Sequence, residues 1–361
     1  MSDPTIQTFC CHHSNTSNIT MAIMKEFNTE AYNCVCLFSS TLGILGALYQ
    51  ILPRQQFSKS GRWYSFTAVR GRKIIIWLAV SDLFASLGVF IRSLIWIRNK
   101  NIMPAVDDHS SVIFCVISSA WVQYFYIASW IWTLCYAIDM KLVLSEKDSW
   151  FASYHIAAWL ISAVLTTAGL GLLYLPDANC HVNTTLMDTL TRILPNYLAT
   201  YIPMATVMIA NPCLYLFSTR DMQKIITCSS GQYTNRERDL LDAVRVKFST
   251  INCVFYLCWL PNLINGLLIW TLWFNLPVEL LTNIWYMMAF TNPLQALFNS
   301  LVYRRWNSGS EKIIVPWKKQ ESSEVQNFNT PNSSTVDSFD ENLPLLQSLR
   351  RSSINGYSTY K

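Results

Sequence analysis

Charged side chains are scarce in this chain of 361 residues. Asp, Glu, Lys and Arg make up 14% of it, whereas soluble domains carry about 25%. Hydrophobic residues make up 52%, and 14 Trp and 18 Phe add large apolar surfaces. So few charges cannot cover the surface of a soluble domain of this size. The composition therefore excludes an ordinary soluble enzyme, a coiled coil and a disordered chain, and it predicts a membrane protein.

Several chemical signatures are also missing. The sequence has no Gly-rich phosphate loop, no His/Cys cluster at metal-ligand spacing and no Ser-His-Asp arrangement at one membrane face. The last hydrophobic stretch has no Lys, which excludes a retinal Schiff base. We therefore expect no enzyme activity, no cofactor, no metal site and no nucleic-acid partner. Residues 1–4 do not begin a basic and apolar leader, so we expect no cleaved signal peptide.

Seven hydrophobic stretches are long enough to cross a membrane as helices, which takes about 20 residues. The only charged residues inside them are Asp82 and Arg92, both in the second stretch. The pattern predicts an all-α membrane protein built as a bundle of seven transmembrane helices. The predicted spans are 31–52, 74–97, 111–138, 151–175, 193–218, 248–272 and 280–303.

Basic residues are unevenly divided among the segments that connect these spans. Of the 27 Lys and Arg, 22 lie in three loops and the C-terminal tail, which share one side of the membrane. Cytoplasmic segments carry such an excess, so we expect a lumenal or extracellular N-terminus and a cytoplasmic C-terminus. The chain then divides into a lumenal segment (1–30), a transmembrane domain (31–303) and a largely disordered tail (304–361). Three sequons fall on the lumenal side, which predicts glycosylation at Asn15, Asn18 and Asn183.

Three motifs lie at the depths where rhodopsin-like receptors carry their switch residues. The second span places the carboxylate of Asp82 near the middle of the membrane. A carboxylate at that depth usually belongs to an ion or polar network. The sixth span contains Cys258-Trp259-Leu260-Pro261, and the seventh contains Asn292-Pro293. Proline kinks a helix and frees carbonyl groups that need polar neighbours. The motifs predict a rhodopsin-like receptor architecture, with an ion or switch network of Asp82, Trp259, Pro261, Asn292 and Pro293.

Two cysteines are placed to pin a loop over the bundle. Cys115 begins the third span and Cys180 follows the fourth, both on the predicted lumenal side. Disulfides form in such an oxidising compartment, so we predict a bridge between them. The sequence does not assign partners to Cys10 and Cys11.

The end of the third span departs from the usual receptor pattern. Rhodopsin-like receptors have Asp-Arg-Tyr there, and this chain has Asp139-Met140-Lys141. Ala296 stands where a Tyr usually follows the Asn-Pro pair. We expect Asp139, Met140 and Lys141 to form part of an altered G-protein face.

Arg92 is the first candidate for ligand binding. It lies ten residues beyond Asp82, nearly three helical turns toward the lumen. Our hypothesis is that it holds the carboxylate of an amino-acid-like ligand. The alternative is that it extends to the lumenal interface or pairs with Glu279 or Asp107. The full candidate set, for which ordinary helix packing is the alternative, is Arg92, Gln123, Tyr126, Trp259, Asn262 and Tyr286.

The tail carries a candidate sorting signal. Glu341 is followed four residues later by Leu345 and Leu346, the pattern of an acidic dileucine signal. Such a peptide binds a clathrin adaptor, with the acid on a basic patch and the leucines in an apolar groove. A chance match is the alternative for so short a pattern.

Several stretches make the sequence similar to one branch of seven-helix receptors. They include Thr8-Phe9-Cys10-Cys11, Val89-Phe90-Ile91-Arg92-Ser93, Phe114-Cys115-Val116, Cys135-Tyr136-Ala137-Ile138-Asp139, Ala210-Asn211-Pro212 and Tyr233-Thr234-Asn235-Arg236-Glu237-Arg238. With these stretches the sequence resembles the ocular albinism type 1 receptor family over about residues 8–305, and an Asp without a following Arg at the end of the third span is a trait of that family.

The resemblance implies an intracellular receptor of melanosomes and of late endosomal or lysosomal membranes. It further implies L-DOPA, tyrosine or dopamine as ligands, heterotrimeric G proteins and arrestin as partners, and a role in melanosome biogenesis. Two alternatives remain open. One is an intramembrane carrier that uses Asp82 and Arg92, although no internal repeat is visible. The other is a membrane protein that organises organelles without a ligand.

Overall fold

Seven helices account for nearly all of the structure. The computed structural model describes residues 27–52, 54–55, 62–99, 109–144, 151–174, 186–230, 235–271, 278–305 and 312–313. Two short strands within these ranges, β1 (Arg54–Gln55) and β2 (Lys312–Ile313), pair in antiparallel fashion. The helices are α1 (Thr29–Ile51), α2 (Arg62–Arg98), α3 (His109–Leu144), α4 (Phe151–Tyr174), α5 (Leu186–Ser230), α6 (Asn235–Thr271) and α7 (Val278–Arg305).

The helices form a closed ring. Each packs against its neighbours in sequence, and α1 also packs against α7. Helix α3 additionally contacts α5, and α2 contacts α7, so α3 and α7 both border the interior. Each predicted span corresponds to one helix, which confirms the seven-helix bundle. The helices outgrow some spans: α5 continues past 218 to Ser230, and α6 begins at Asn235 rather than at 248.

Polarity is distributed inside out relative to a soluble protein. Large apolar side chains on the outer face are more than half exposed, as at Phe38 (60%), Ile117 (62%) and Ile209 (68%). Among the described residues, six helices qualify as membrane spans by length and composition. Helix α7 is not one of those six. Its polar side chains are buried inside the bundle, among them Asn292, Gln295 and Asn299. This distribution suits a lipid environment.

Proline-freed carbonyl groups find partners on neighbouring helices. Pro293 lacks the N–H that would bond the Ala289 carbonyl oxygen, and the Ser39 hydroxyl of α1 donates to that oxygen at 2.7 Å. Pro212 likewise frees the Met208 carbonyl, and the Tyr256 hydroxyl of α6 donates to it at 2.7 Å. These hydrogen bonds therefore help to fix how the helices pack.

Glycine allows α1 to approach α7 closely. A Cβ atom at Gly43 would lie 2.2 Å from the Pro293 carbonyl oxygen, and one at Gly46 would lie 2.5 Å from the Leu297 Cα. Small residues permit such backbone contact between membrane helices. The close approach brings one face of α1 into the interior, where it contributes to the site described below.

Candidate functional site

Asp82 lies at the centre of a buried polar network. Its side chain is 2% exposed. The Ser129 hydroxyl of α3 donates to Oδ1 at 2.5 Å, and Gln295 Nε2 of α7 reaches the same oxygen at 3.5 Å. Asn299 Nδ2 of α7 donates to Oδ2 at 2.9 Å. Both carboxylate oxygens therefore accept hydrogen bonds, and the network joins α2, α3 and α7.

The sequence analysis missed three members of this network, which are Ser129, Gln295 and Asn299. Asn292, Gln295 and Asn299 are spaced three and four residues apart, which places them on one face of α7. That spacing could have revealed Gln295 and Asn299. Ser129 gives no comparable signal, because serine is common in membrane helices.

Trp259 connects this network to the rest of the interior. Its indole Nε1 donates to Gln295 Oε1 at 2.5 Å, and the side chain is fully buried. The ring packs edge-on against Tyr126 and Trp130 of α3, with centroid distances of 4.9 and 4.8 Å. Pro261 follows two residues later inside α6. Helix α6 is thus joined to α3 and α7 through the Trp259 side chain.

Two further hydrogen bonds link α6 to α7. Asn292 Nδ2 donates to Asn262 Oδ1 at 3.3 Å, and Trp285 Nε1 donates to Asn265 Oδ1 at 2.9 Å. Asn262, predicted as a ligand residue, therefore contacts α7. Its own Nδ2 is buried without a hydrogen-bond partner in the structure.

A small cavity lies between α1, α2, α3 and α7. Its volume is about 20 Å³, enough for one water molecule. Apolar side chains form half of its lining, and the polar side chains that line it are Tyr32, Cys36, Arg92, Tyr126 and Asn292. The Arg92 side chain is 6% exposed, and both the ligand hypothesis and its alternatives stay predictions.

The structure brings two of the six predicted ligand residues, Arg92 and Tyr126, to this cavity. Tyr126 is 2% exposed, and its hydroxyl has no hydrogen-bond partner in the structure. Gln123 instead points toward α5, where its Nε2 donates to Asn196 Oδ1 at 3.0 Å and to Thr200 Oγ1 at 3.3 Å. Gln123 therefore belongs to a separate polar cluster.

An aromatic lid covers the end of the bundle where α1 and α7 begin; it consists of Phe27, Tyr32, Trp285 and Tyr286. The Phe27 ring lies 5.2 Å from the centroids of Tyr32 and Trp285 and 5.8 Å from that of Tyr286. The Tyr286 hydroxyl donates to the Asn28 carbonyl at 2.9 Å. Because Tyr32 also lines the cavity, the aromatic lid adjoins it.

The residues predicted to face a G protein make contacts within the bundle. Asp139 is buried and accepts a hydrogen bond from the Tyr154 hydroxyl of α4 at 3.2 Å. Lys141 forms an ion pair with Asp221 of α5, and Met140 is half-buried. The triplet thus ties α3 to α4 and α5.

A third contact at the same end involves a lysine that the sequence analysis did not single out. Lys247 of α6 lies 6.0 Å from the ring centroids of both Tyr136 and Tyr303. Those two rings, from α3 and α7, pack edge-on with centroids 5.4 Å apart. A cation over aromatic faces is attracted to them, so Lys247 helps to hold α3, α6 and α7 together.

Other predicted residues fall outside the described ranges. Cys115 is disulfide-bonded, but Cys180 lies outside them, so that pairing stays a prediction. The sequon residues Asn15, Asn18 and Asn183 and the sorting residues Glu341, Leu345 and Leu346 also lie outside.

The structure is that of a rhodopsin-like seven-helix membrane protein. Its defining features are the closed ring of seven helices, the buried carboxylate of Asp82 on α2, and Trp259 with Pro261 on α6. Squid rhodopsin superposes with a TM-score of 0.53 at 16% identity, covering 76% of this chain and 81% of that one. The likeness confirms the predicted fold class.

Residues 1–344 match the family described as ocular albinism type 1 protein, and the chain belongs to that family. It is 29% identical to human G-protein coupled receptor 143 over 342 residues, covering 88% of this chain and 81% of that protein. It is 25% identical to cyclic AMP receptor-like protein A of Dictyostelium discoideum over 280 residues, covering 76% and 64%. The predicted resemblance is confirmed, and the chain is an integral membrane protein of the G-protein-coupled receptor class.

Proposed function

We propose that the protein is a receptor of melanosomal and endolysosomal membranes. It senses an L-DOPA-like or tyrosine-like small molecule from the lumen and regulates melanosome biogenesis through heterotrimeric G proteins. The observation that carries this proposal is a continuous path of contacts. Tyr126 lines the cavity and packs on Trp259, and Trp259 donates to Gln295, which reaches Asp82. A change at the cavity can therefore reach the middle of the bundle.

Arg92 supplies the chemistry for an amino-acid-like ligand. Its guanidinium matches the two oxygens of a carboxylate, and it is buried beside the cavity. Binding a carboxylate there partly compensates for the burial of the positive charge. Dopamine, which the family resemblance also implies, has no carboxylate to offer it.

A G protein would bind at the opposite end of the bundle from the cavity. Asp139, Met140 and Lys141 lie at the end of α3, where the contacts to Tyr154 and Asp221 hold three helices together. Release of these contacts would open a face for a G protein. Arrestin would bind the same end together with the tail.

The cellular address rests on the tail and on the family. Glu341, Leu345 and Leu346 would bind a clathrin adaptor and direct the protein to late endosomes, lysosomes and melanosomes, with a smaller pool at the plasma membrane. The family is named for ocular albinism, a defect of pigmentation, which supports a melanosomal role. The N-terminus faces the lumen in this proposal, with glycans at Asn15, Asn18 and Asn183.

The test is G-protein recruitment by a form delivered to the plasma membrane through Leu345→Ala and Leu346→Ala. We expect L-DOPA to raise recruitment in this background. Arg92→Gln should abolish the response. Arg98→Gln is the matched control, because Arg98 is exposed at the end of the same helix. This variant should respond to L-DOPA like the parent form.

Surface delivery of each variant is measured by cell-surface labelling. A well-delivered protein that stays silent to L-DOPA and tyrosine would contradict the receptor proposal. An Arg92→Gln response equal to that of Arg98→Gln would keep the receptor but reject Arg92 as the anchor.

The sorting signal is tested separately by microscopy. Leu345→Ala with Leu346→Ala should move the protein from lysosomal compartments to the plasma membrane. Leu343→Ala is the control, because Leu343 lies outside the dileucine pair. Unchanged lysosomal staining of the double variant would refute the signal.

A further inference from the structure

Aromatic side chains fill the space between α2 and α4 on the outside of the bundle. Both helices pack closely on α3 and far less on each other. Trp77 of α2 and Trp159 of α4 meet across the gap, with ring centroids 6.1 Å apart. Beneath them lies the fully buried Trp132 of α3, at 6.3 Å from Trp77 and 6.2 Å from Trp159. Trp77 is 37% exposed, so this aromatic patch is open to the membrane.

His155 of α4 is the polar member of the aromatic patch. Its ring lies 4.8 Å from the ring of Trp77 and 5.0 Å from the rings of Trp132 and Phe151. Trp159 Nε1 donates to His155 Nδ1 at 3.4 Å. A neutral imidazole whose Nδ1 accepts carries its hydrogen on Nε2. Among the described residues, no group accepts a hydrogen bond from Nε2, and the side chain is only half-buried.

The depth of His155 determines what can accept this hydrogen. His155 lies four residues beyond Phe151, where α4 begins, which is about 6 Å along a helix. The interfacial layer of a bilayer is about 5–8 Å thick on each side. The ester carbonyl groups of phospholipids lie at its inner edge, next to hydrocarbon that cannot accept hydrogen bonds. An unpaired N–H is costly there, so a lipid ester is the fitting partner for His155.

A lysine lies at the end of the patch where α4 begins. Lys73 of α2 is exposed, and its Nζ lies 6.0 Å from the centroid of the Phe151 ring. Lys73 and Trp77 are four residues apart, which places them on the same face of α2. Among the described residues, no carboxylate pairs with Lys73. Lysine binds phosphate as a point charge and attracts anionic lipids, so the patch has a site for a headgroup at this end.

The order of these groups matches one class of lipid. From the membrane surface inward, the protein presents the cation of Lys73, the N–H of His155 and then aromatic rings. A glycerophospholipid presents a phosphate, ester carbonyl groups and acyl chains in the same order. A sterol has a hydroxyl for His155 but no negative charge for Lys73. A choline headgroup adds a positive charge close to Lys73, which disfavours it relative to a lipid with net negative charge.

We propose that the aromatic patch between α2 and α4 binds an anionic glycerophospholipid. The lipid phosphate contacts Lys73, an ester carbonyl accepts a hydrogen bond from His155 Nε2, and an acyl chain lies along Trp77 and Trp159. The site faces the bilayer, whereas the cavity and the Asp82 network lie inside the bundle. It therefore stands or fails independently of the small molecule that the receptor senses.

Lipids that differ from one another in a single group test the proposal. The full chain is purified in detergent, and lipid binding is titrated by native mass spectrometry. Dioleoyl phosphatidylglycerol is compared with dioleoyl phosphatidylcholine, with the diether analogue of phosphatidylglycerol, which lacks both carbonyl groups, and with cholesterol. We expect phosphatidylcholine to bind about fivefold more weakly, as one lysine near an anionic headgroup contributes. The diether lipid should bind about threefold or more weakly, as expected for the loss of one hydrogen bond.

Two variants assign these preferences to their side chains. Lys73→Gln should abolish the preference for phosphatidylglycerol over phosphatidylcholine and keep the preference for ester over ether. His155→Phe keeps a ring in the patch but loses the N–H, so it should abolish the preference for ester over ether and keep the preference for negative charge. Arg98→Gln is the matched control for Lys73→Gln, because Arg98 is an exposed cation at the other end of α2. It should change neither preference.

Three results would overturn the proposal. One is equal binding of the ester and ether lipids to the native chain, which needs no variant to fold. Another is an equal loss of phosphatidylglycerol binding in Lys73→Gln and Arg98→Gln, since the attraction would then belong to the overall charge and not to this patch. The third is displacement of phosphatidylglycerol by cholesterol at equal concentration, because the patch would then be a sterol site.

Discussion

Two polar regions of the bundle differ in how their buried groups are satisfied. Around Asp82, both carboxylate oxygens accept hydrogen bonds from α3 and α7. Around the cavity, the Tyr126 hydroxyl is buried without a partner. Satisfied buried networks hold elements in one arrangement, whereas unsatisfied groups in a cavity favour a ligand that completes them. We interpret the first region as the switch and the second as the ligand site.

The largest expected effect comes from removing the carboxylate. Asp82→Ala leaves the Ser129 and Asn299 donors without their acceptor, and each such loss costs about 1–3 kcal/mol. The free energy of unfolding should therefore fall by about 3 kcal/mol. The measurement is thermal inactivation in detergent, which should occur at a lower temperature than for the native protein. Asp82→Asn keeps one acceptor oxygen, so its free energy of unfolding should fall by less. If Asp82→Ala were as stable as the native protein, the network would not stabilise the bundle.

A methyl group at the contact between α1 and α7 should have the next largest effect. In Gly43→Ala the new Cβ would lie 2.2 Å from the Pro293 carbonyl oxygen, and overpacking of this kind costs about 1–3 kcal/mol. Gly171→Ala is the matched control, since nothing lies within 4 Å of a Cβ there. Equal thermal stability of the two variants would show that α1 is not seated against α7 as described.

Ser39→Ala should have a smaller effect. It removes the donor to the Ala289 carbonyl that Pro293 leaves free, and such side-chain hydrogen bonds between membrane helices contribute about 1 kcal/mol. Thr41→Ala is the control, because the Thr41 hydroxyl is exposed and donates to Leu37 of its own helix. Thermal inactivation measured on both should show a loss only for Ser39→Ala. The interpretation fails if the losses are alike.

The smallest effect on stability is expected for the ion pair of Lys141 with Asp221. Both side chains are partly exposed, at 28% and 29%, and exposed pairs contribute about 0–1 kcal/mol. Lys141→Ala should therefore hardly change thermal inactivation. G-protein recruitment without ligand should rise, because a tie between α3 and α5 is lost, and Lys141→Asp with Asp221→Lys should restore it. Unchanged basal recruitment in Lys141→Ala would remove the pair from the account of switching.

The fold was predictable because long apolar runs and the distribution of basic residues are properties of sequence alone. The ends of the helices were less predictable. Helix α6 begins at Asn235, in a polar stretch where the length of an apolar run gives no signal. Asp82 was easy to find as a charge in an apolar run, but Ser129 was not. Gln123 faces α5 rather than the cavity because packing, and not residue type, decides which side of α3 borders the ligand site.

The most direct test of the link between the two regions is Gln295→Met. Methionine has a similar size but cannot accept from Trp259 or donate to Asp82, the contacts that Gln295 makes in the structure. Ligand binding and G-protein recruitment are measured side by side on the plasma-membrane form. We predict that L-DOPA affinity changes by less than about tenfold, within the range of typical allosteric coupling, while ligand-stimulated recruitment is lost. Normal recruitment in Gln295→Met would contradict the account, because the cavity would then signal without the path through Trp259 and Gln295.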